Sequence, residues 1–459
     1  MPAIDTSSGR SPLTLSHHLK QRRQRLADQL DQPVVLWSGQ RMSRNFPANS
    51  YPFRASSHFL YFAGQSIEKA AIHLDGGRLT LFLDDPAPSA ALWHGPTPSR
   101  DQWAEAIAAD AAYPYSQLAD FLDGALTLPV QDPSSQQQQQ HLLQRSYSPT
   151  GTDADLVQAI VSLRLQHDAA ALAELEQAAQ VTVRAHQAGM RAASSTEAQV
   201  RAAMEQVIVA ANMTCAYNSI VTVHGEVLHN EVYHHPLQSG DLLLADVGAE
   251  TAGGWAADIT RTWPVSGTFS SSQRSLYEVV LAAHDACIAA IRPGVEYRSI
   301  HLLGAATLAA GLVDLGILRG AVDDLVDQDV HALFFPHGIG HLLGLDVHDM
   351  EDLGDLAGYA PGRQRSDRFG LGYLRLDRPL LPGMVVTIEP GFYQVPALLN
   401  DPDRRSRYAP WVNWERLAHF ADVRGIRIED DVLVTDQGHR VLTADLPTSV
   451  ADLEEWMAG

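Results

Sequence analysis

Four carboxylates stand inside apolar segments of this chain, and that placement constrains the fold more than any other feature, because an unpaired carboxylate taken out of water costs several kcal/mol. Asp246 lies in Asp241-Leu-Leu-Leu-Ala-Asp-Val-Gly248, a run that otherwise reads as buried strand. The Gly253-Gly254 turn leads back into Trp255-Ala-Ala-Asp-Ile-Thr-Arg-Thr-Trp263, where Asp258 again has apolar neighbours. A hairpin of this spacing brings both Asp side chains to one face. Glu389, in Thr387-Ile-Glu-Pro-Gly391, ends the apolar strand Met384 to Ile388, and Glu429 falls within a strand Gly425-Ile-Arg-Ile-Glu-Asp-Asp-Val-Leu-Val434. Phe334-Phe-Pro-His-Gly-Ile-Gly-His-Leu-Leu-Gly-Leu-Asp-Val-His-Asp349 sets His337, His341 and His348 in a Gly-rich, apolar stretch. Each residue has a plain structural alternative. Asp258 could pair with Arg261, Asp246 cap a turn, Glu389 close the turn before Pro390, Glu429 bridge to Arg427, and each histidine be a satisfied core residue. Three histidines beside two buried carboxylates tilt the balance towards a shared site.

Asp246, Asp258, His341, Glu389 and Glu429 together carry a charge that calls for about two divalent cations. Oxygen ligands with one nitrogen and no sulfur suit Mn²⁺ best, with Co²⁺, Fe²⁺ or Zn²⁺ as alternatives. Two ions roughly 3.5–4 Å apart lower the pKa of a shared water to near 7 and polarise a carbonyl, which is hydrolytic chemistry. No His-Glu-x-x-His helix, Gly-x-Ser-x-Gly elbow, P-loop or Gly-x-Gly-x-x-Gly fingerprint competes with this reading. The balance of 33 basic and 54 acidic side chains, a net charge of −21, disfavours nucleic acid and anionic membrane surfaces as partners. Two cysteines, Cys215 and Cys287, exclude a disulfide scaffold and a thiolate zinc site and fit a reducing compartment. Met1 to Lys20 lacks a signal-type apolar block, and no apolar run approaches the roughly 20 residues of a bilayer span. The expectation is a soluble, cytoplasmic protein.

A length of 459 residues leaves room for two domains. The first, 1–160, reads as a small α/β domain: a helix from Leu13 to Leu30, a strand within Pro33 to Gly39, the segment Tyr51 to Gly64, and a hairpin across Ala70 to Leu83 turning at Gly76-Gly77. Pro, Ser and Gln dominate Leu128 to Gly151, including Gln136 to Gln140, and predict a Gln-rich linker near 131–150. The second domain, 161–459, begins with an Ala-rich helical pattern from Leu163 to about Ala193. A Thr196/Gln199 capping box then opens a helix towards Asn212, and further helices follow over Gln273 to Ile291 and Ser299 to Leu315. The remaining elements are short strands, so the chain as a whole reads as α+β.

In these motifs the sequence resembles the metallopeptidase family of aminopeptidase P, prolidase and methionine aminopeptidase, whose catalytic domain is the pita-bread fold. The five positions match the family's metal ligands in order, and the likeness covers Leu163 to about Leu446. Tyr51 to Gly64 resembles the N-terminal domain of aminopeptidase P and prolidase, with His58 where those relatives often carry Asp. The resemblance implies that Asp246 chelates one ion, His341 and Glu389 the other, and that Asp258 and Glu429 bridge them. It implies that Glu389 passes the proton of the bridging water, that His229 and His348 act catalytically, and that His229, His337, Arg427, Tyr393, Tyr217 and Arg375 are on the substrate side or just behind it. The implied activity is Xaa-Pro aminopeptidase action on proline-containing peptides, in a homo-oligomer (dimer or tetramer). The long connection from Glu351 to Arg378 reads as a lid or specificity loop, and Arg375 within it matches the prolidase arginine that binds a dipeptide carboxylate, so a strict Xaa-Pro dipeptidase is the alternative. A non-catalytic binding module and a creatinase-like amidinohydrolase fit less well, because the full ligand set is present.

Overall fold

The computed structural model describes residues 14–87, 89–192 and 194–458; Leu13 and Ala193, the outer ends of two expected helices, lie outside them. The chain divides into two compact units, Met1–Leu163 and Arg164–Gly459.

The first unit is built on a five-stranded mixed sheet in the order Ala111–Tyr113, Arg78–Phe82, Ala71–Asp75, Val34–Trp37, Leu126–Thr127. Its central hairpin turns where expected, Gly76 and Gly77 both adopting positive φ (53° and 80°), which an L side chain resists. Helix Leu15–Ala27 covers the sheet and buries Arg23, whose guanidinium donates to the carbonyls of Phe62, Ile107 and Ala108 and so remains satisfied out of water. The expected linker is instead largely helical. Pro133–Leu143 forms a helix with Asp132 as N-cap, its Oδ1 accepting from Ser135 N at 2.8 Å, and Pro133 in the first turn. Its buried face is polar, which is why no hydrophobic period marks it: Gln139 Nε2 donates to Leu128 O and Thr127 Oγ1, both at 2.7 Å. The rest of the supposed linker is held by Asp153, a carboxylate with no exposed side chain. Arg145 clasps it through two hydrogen bonds of 2.7 Å, and Thr127 N and Ser148 N each add one of 2.9 Å.

In the second unit, short antiparallel strands are packed by long helices. Leu242–Asp246 lies between Thr260–Pro264 and Ile220–Thr222, Val385–Ile388 pairs with Asp430–Val434, and Gly391–Tyr393 pairs with Gly425–Arg427. Helix Ser271–Ala290 packs on the strands at 385–393 and 425–427, and Ala169–Arg191 packs on Glu197–Ala210. All four side chains of Val385–Ile388 are buried, each large apolar one stabilising the fold by about 1.5–3 kcal/mol. Two local expectations change. The pattern from Leu163 is broken into Ala154–Arg164 and Ala169–Arg191, because Asp168 N-caps a fresh helix through Ala171 N. Thr196 occupies the N-cap of Glu197–Ala210 without a side-chain cap, and Gln199 reaches back to Ser195 N instead.

Burial pushes the Asp153 carboxyl up, but the Arg145 guanidinium and the two backbone amides hold it below its ordinary value. A depressed carboxylate stabilises the fold above its unfolded pKa of about 3.9, and that contribution is lost as pH falls through the folded value. Asp153→Asn is therefore expected to cost about 3 kcal/mol near pH 7 in urea unfolding, with the gap from wild type closing below about pH 4. An unchanged midpoint at pH 7 would contradict this account.

Candidate metal centre

Each candidate ligand is placed by a backbone pairing. Asp246 ends its strand opposite Thr260, and Asp258 stands two residues before Thr260 in the returning arm. The arms meet closely at Gly248, where a Cβ would lie 1.9 Å from Ala257 O, so only glycine fits. Glu429 does not lie within one continuous strand, as the alternation suggested. The chain leaves one sheet after Arg427 and enters another at Asp430. At that switch Glu429 N donates to Thr260 O at 3.0 Å, and Thr260 Oγ1 donates to Glu429 Oε2 at 2.7 Å. His341 and Glu389 come together because the segment at 339–342 runs along Val385–Ile388: Thr387 N donates to His341 O (3.0 Å) and Glu389 N to Ile339 O (2.8 Å).

The two arginine pairings open to Asp258 and Glu429 are not realised. Arg261 spends its guanidinium on Asp430 Oδ1 (2.8 Å) and four backbone carbonyls, away from Asp258. Arg427 hydrogen-bonds Asp246 Oδ2 (2.6 Å), Thr260 Oγ1 and Tyr393 OH. Asp258, His341 and Glu429, all buried, can offer ligand atoms within 4.8 Å of one another. Burial, then repulsion from Asp246, pushes the Asp258 carboxyl up to about 7. Burial likewise pushes Glu389 to about 7 against the pull of His341 and Arg427, and burial with three neighbouring carboxylates drives Glu429 well above the ordinary range.

Three observations show that the residues fit divalent ions. Tyr217, kept as a phenol by burial and by Asp246 and Asp258, sits 2.5 Å from Oδ1 of each Asp, yet one hydroxyl proton serves one carboxylate at a time. His341 Nδ1 donates to Leu342 O (3.0 Å), which fixes the tautomer and turns the Nε2 lone pair towards Asp258 Oδ2 (3.4 Å) and Glu389 Oε1 (3.8 Å). Burial holds that imidazole neutral, as a ligand must be. The donor set is oxygen with one nitrogen, suited to a hard or borderline ion.

A cavity of about 640 Å³ opens over this cluster, lined by Asp246, Asp258, His341, Glu389 and Glu429 together with His229, His337, His348, Arg375 and Arg427. Arg365, Phe369 and Tyr373 extend the wall, so the connection from Glu351 to Arg378 does face the site. Tyr217 and Tyr393 are placed behind the wall rather than on it. Tyr393 OH accepts from Arg427 Nη1 (3.0 Å) and donates to His337 Nε2 (2.9 Å), whose ring is fixed by Nδ1–H to Gly338 O. His348 Nδ1 donates to Glu351 Oε2 (2.6 Å), and Arg375 pairs with the same carboxylate. Glu351, Thr260 and Asp431, whose Oδ2 accepts from Asp258 N, escaped the sequence reading. Thr260 could have been found two residues beyond Asp258 on the same strand face, and Glu351 three residues beyond His348.

Residues 173–436 match metallopeptidase family M24, and residues 19–130 match the aminopeptidase P N-terminal domain. The chain is 31% identical over 445 residues to the Xaa-Pro dipeptidase of Homo sapiens, covering 93% of this chain and 88% of that protein. It is 31% identical over 453 residues to the Xaa-Pro aminopeptidase of Haemophilus influenzae, covering 95% and 96%. Among solved structures it resembles Pseudomonas aeruginosa aminopeptidase PepP (TM-score 0.81, 28% identity, 97% and 98% of the two chains). It also resembles Escherichia coli aminopeptidase P in complex with substrate (TM-score 0.81, 27% identity, 96% and 98%). The fold is thus the α+β arrangement of aminopeptidase P, an N-terminal domain followed by a pita-bread domain. On the extent of these matches, the chain belongs to metallopeptidase family M24.

Proposed function

We propose that this chain is a dinuclear-metal peptidase that hydrolyses the bond between an N-terminal residue and a following proline. The observation that carries the reading is the buried cluster of Asp258, His341 and Glu429, flanked by Asp246 and Glu389, on the wall of the cavity. Asp246 would hold one ion, His341 and Glu389 the other, with Asp258 and Glu429 shared; Mn²⁺ suits the set best, with Co²⁺, Fe²⁺ or Zn²⁺ as substitutes. Bound there, the ions supply Lewis-acid polarisation of the scissile carbonyl and a water acidic enough to attack it. Glu389, on the cavity wall, would take the proton of the attacking water and return it to the leaving proline nitrogen. His348 spends its one N–H on Glu351, and burial keeps the ring neutral, so Nε2 is left as an acceptor for an N–H or O–H donor of the substrate or water, while His229 flanks the same space. Leu228, Phe369, Val395 and Leu398 give the cavity an apolar wall suited to a pyrrolidine ring.

The named relatives include both Xaa-Pro aminopeptidases and Xaa-Pro dipeptidases. The aminopeptidase reading leads here because the solved structures this chain resembles are those of aminopeptidase P. Intact ligands argue against a non-catalytic module. Among the described residues no helix is long and apolar enough to cross a membrane, which accords with the cytoplasmic assignment we propose. A homo-oligomer, and a functional division at 1–160 and 161–459, complete the proposal.

Two outcomes are expected. Asp258→Asn should retain fewer divalent ions than wild type by elemental analysis and lose at least about 10²-fold in kcat; full activity in that variant would refute the shared-ligand role. With Mn²⁺ present, Ala-Pro-Ala should be cleaved at least as fast as Ala-Pro, and a large preference for the dipeptide would assign the chain to the dipeptidases.

A further inference from the structure

His229 stands at the exposed tip of the segment between the strand Ile220–Thr222 and Pro236, where an exposed side chain keeps a fixed place only if its backbone is held. The hold is built around Glu197, the first residue of helix Glu197–Ala210, whose carboxylate is completely buried and favoured there by the helix N-terminus. Oε1 accepts from Val223 N (2.9 Å) and Thr222 Oγ1 (3.1 Å), while Oε2 accepts from His235 N (3.2 Å) and pairs with His235 Nδ1 (2.8 Å). One carboxylate therefore closes both ends of the 223–235 loop. The closure continues to the tip: Asn230 Nδ2 donates to Thr222 Oγ1 (2.9 Å), and Asn230 Oδ1 accepts from Val232 N (3.0 Å). On the other side of His229, Leu228 packs on Ile220, Leu244 and Tyr393. The two neighbours of His229 are thus anchored, one by apolar packing and one by a polar chain that begins at Glu197.

We infer that Glu197 is a positioning residue for His229, acting through Thr222 and Asn230 to hold that imidazole on the cavity wall. Glu197 touches neither the cavity nor the metal-binding carboxylates in any contact the structure shows, so its effect falls on the reaction and not on ion binding. An amide at this position has one acceptor oxygen in place of two, and its NH₂ would face donors on one side of the loop. Glu197→Gln thus loosens the side-chain tie at one end of the loop while keeping the shape of the side chain and the backbone bonds from Glu197 N to His235 O and from Ala198 N to Tyr233 O.

The inference rests on the Xaa-Pro peptidase reading, and a double-mutant cycle separates the two. Glu197→Gln, His229→Ala and the double variant are compared with wild type for kcat/KM on Ala-Pro-Ala with Mn²⁺, and for bound metal. The expected result is a loss of about 10- to 10²-fold for Glu197→Gln at full metal content. In the His229→Ala background the same substitution is expected to cost less than about two-fold. Equal losses in both backgrounds, or loss of metal, overturn the inference and leave the peptidase reading intact. A wild type that does not cleave Ala-Pro-Ala overturns the peptidase reading, and the positioning role is then judged by hydrogen–deuterium exchange. Amides 223–235 should exchange faster in Glu197→Gln than in wild type, and unchanged exchange overturns the inference. Should Glu197→Gln fail to fold, Asn230→Ala breaks the same chain nearer the tip and enters the same cycle and the same exchange comparison.

Discussion

Asp246, Asp258, Glu389 and Glu429 repel one another inside the protein, where two like charges about 4 Å apart cost about 4 kcal/mol at an effective dielectric of 20. Arg427 is bonded to Asp246 alone of the four, and the phenol of Tyr217 has one proton for two carboxylates. Burial first, and then the neighbouring carboxylates, hold Asp258 and Glu389 up to about 7 and Glu429 higher still. Much of the second unit serves to keep these groups together against that force. The Gly248 crossing, the Thr260 bridge to Glu429 and the run of 339–342 beside Val385–Ile388 are all backbone devices, paid for by strand pairing and apolar burial.

How much of this was legible in the sequence depended on how local the signal was. The Asp246/Asp258 hairpin was visible because two glycines and an alternating pattern mark it within a short stretch. The approach of His341 to Glu389 was not, since it follows from backbone pairing between distant segments; donor chemistry grouped the two residues without showing how they meet. Glu429 was expected within one strand, and it lies instead where the chain passes from one sheet to another. Alternation shows a strand but cannot show that the strand changes sheets, nor that Asp430 and Asp431 beyond it serve Arg261 and Asp258. The Gln-rich stretch was misread because its helix buries amides rather than apolar side chains, leaving no hydropathy period to detect.

The scaffold and the loops around the cavity are held by different forces. The five candidate ligands are held on or beside paired strands. His229, His348 and Arg375 are set by polar ties: the Glu197 network at the base of one loop, and the Glu351 carboxylate shared by His348 and Arg375 at the other wall. Polar ties at loops are rearranged at lower cost than packed strands, so this wall of the cavity can change more readily than the carboxylate cluster.

The central claim is that the five side chains form one site for two divalent ions. Anomalous diffraction at the manganese edge, from crystals of the full chain grown with Mn²⁺, tests it most directly. The account predicts two peaks per chain, both among Asp246, Asp258, His341, Glu389 and Glu429. A single peak there, or none, would contradict it.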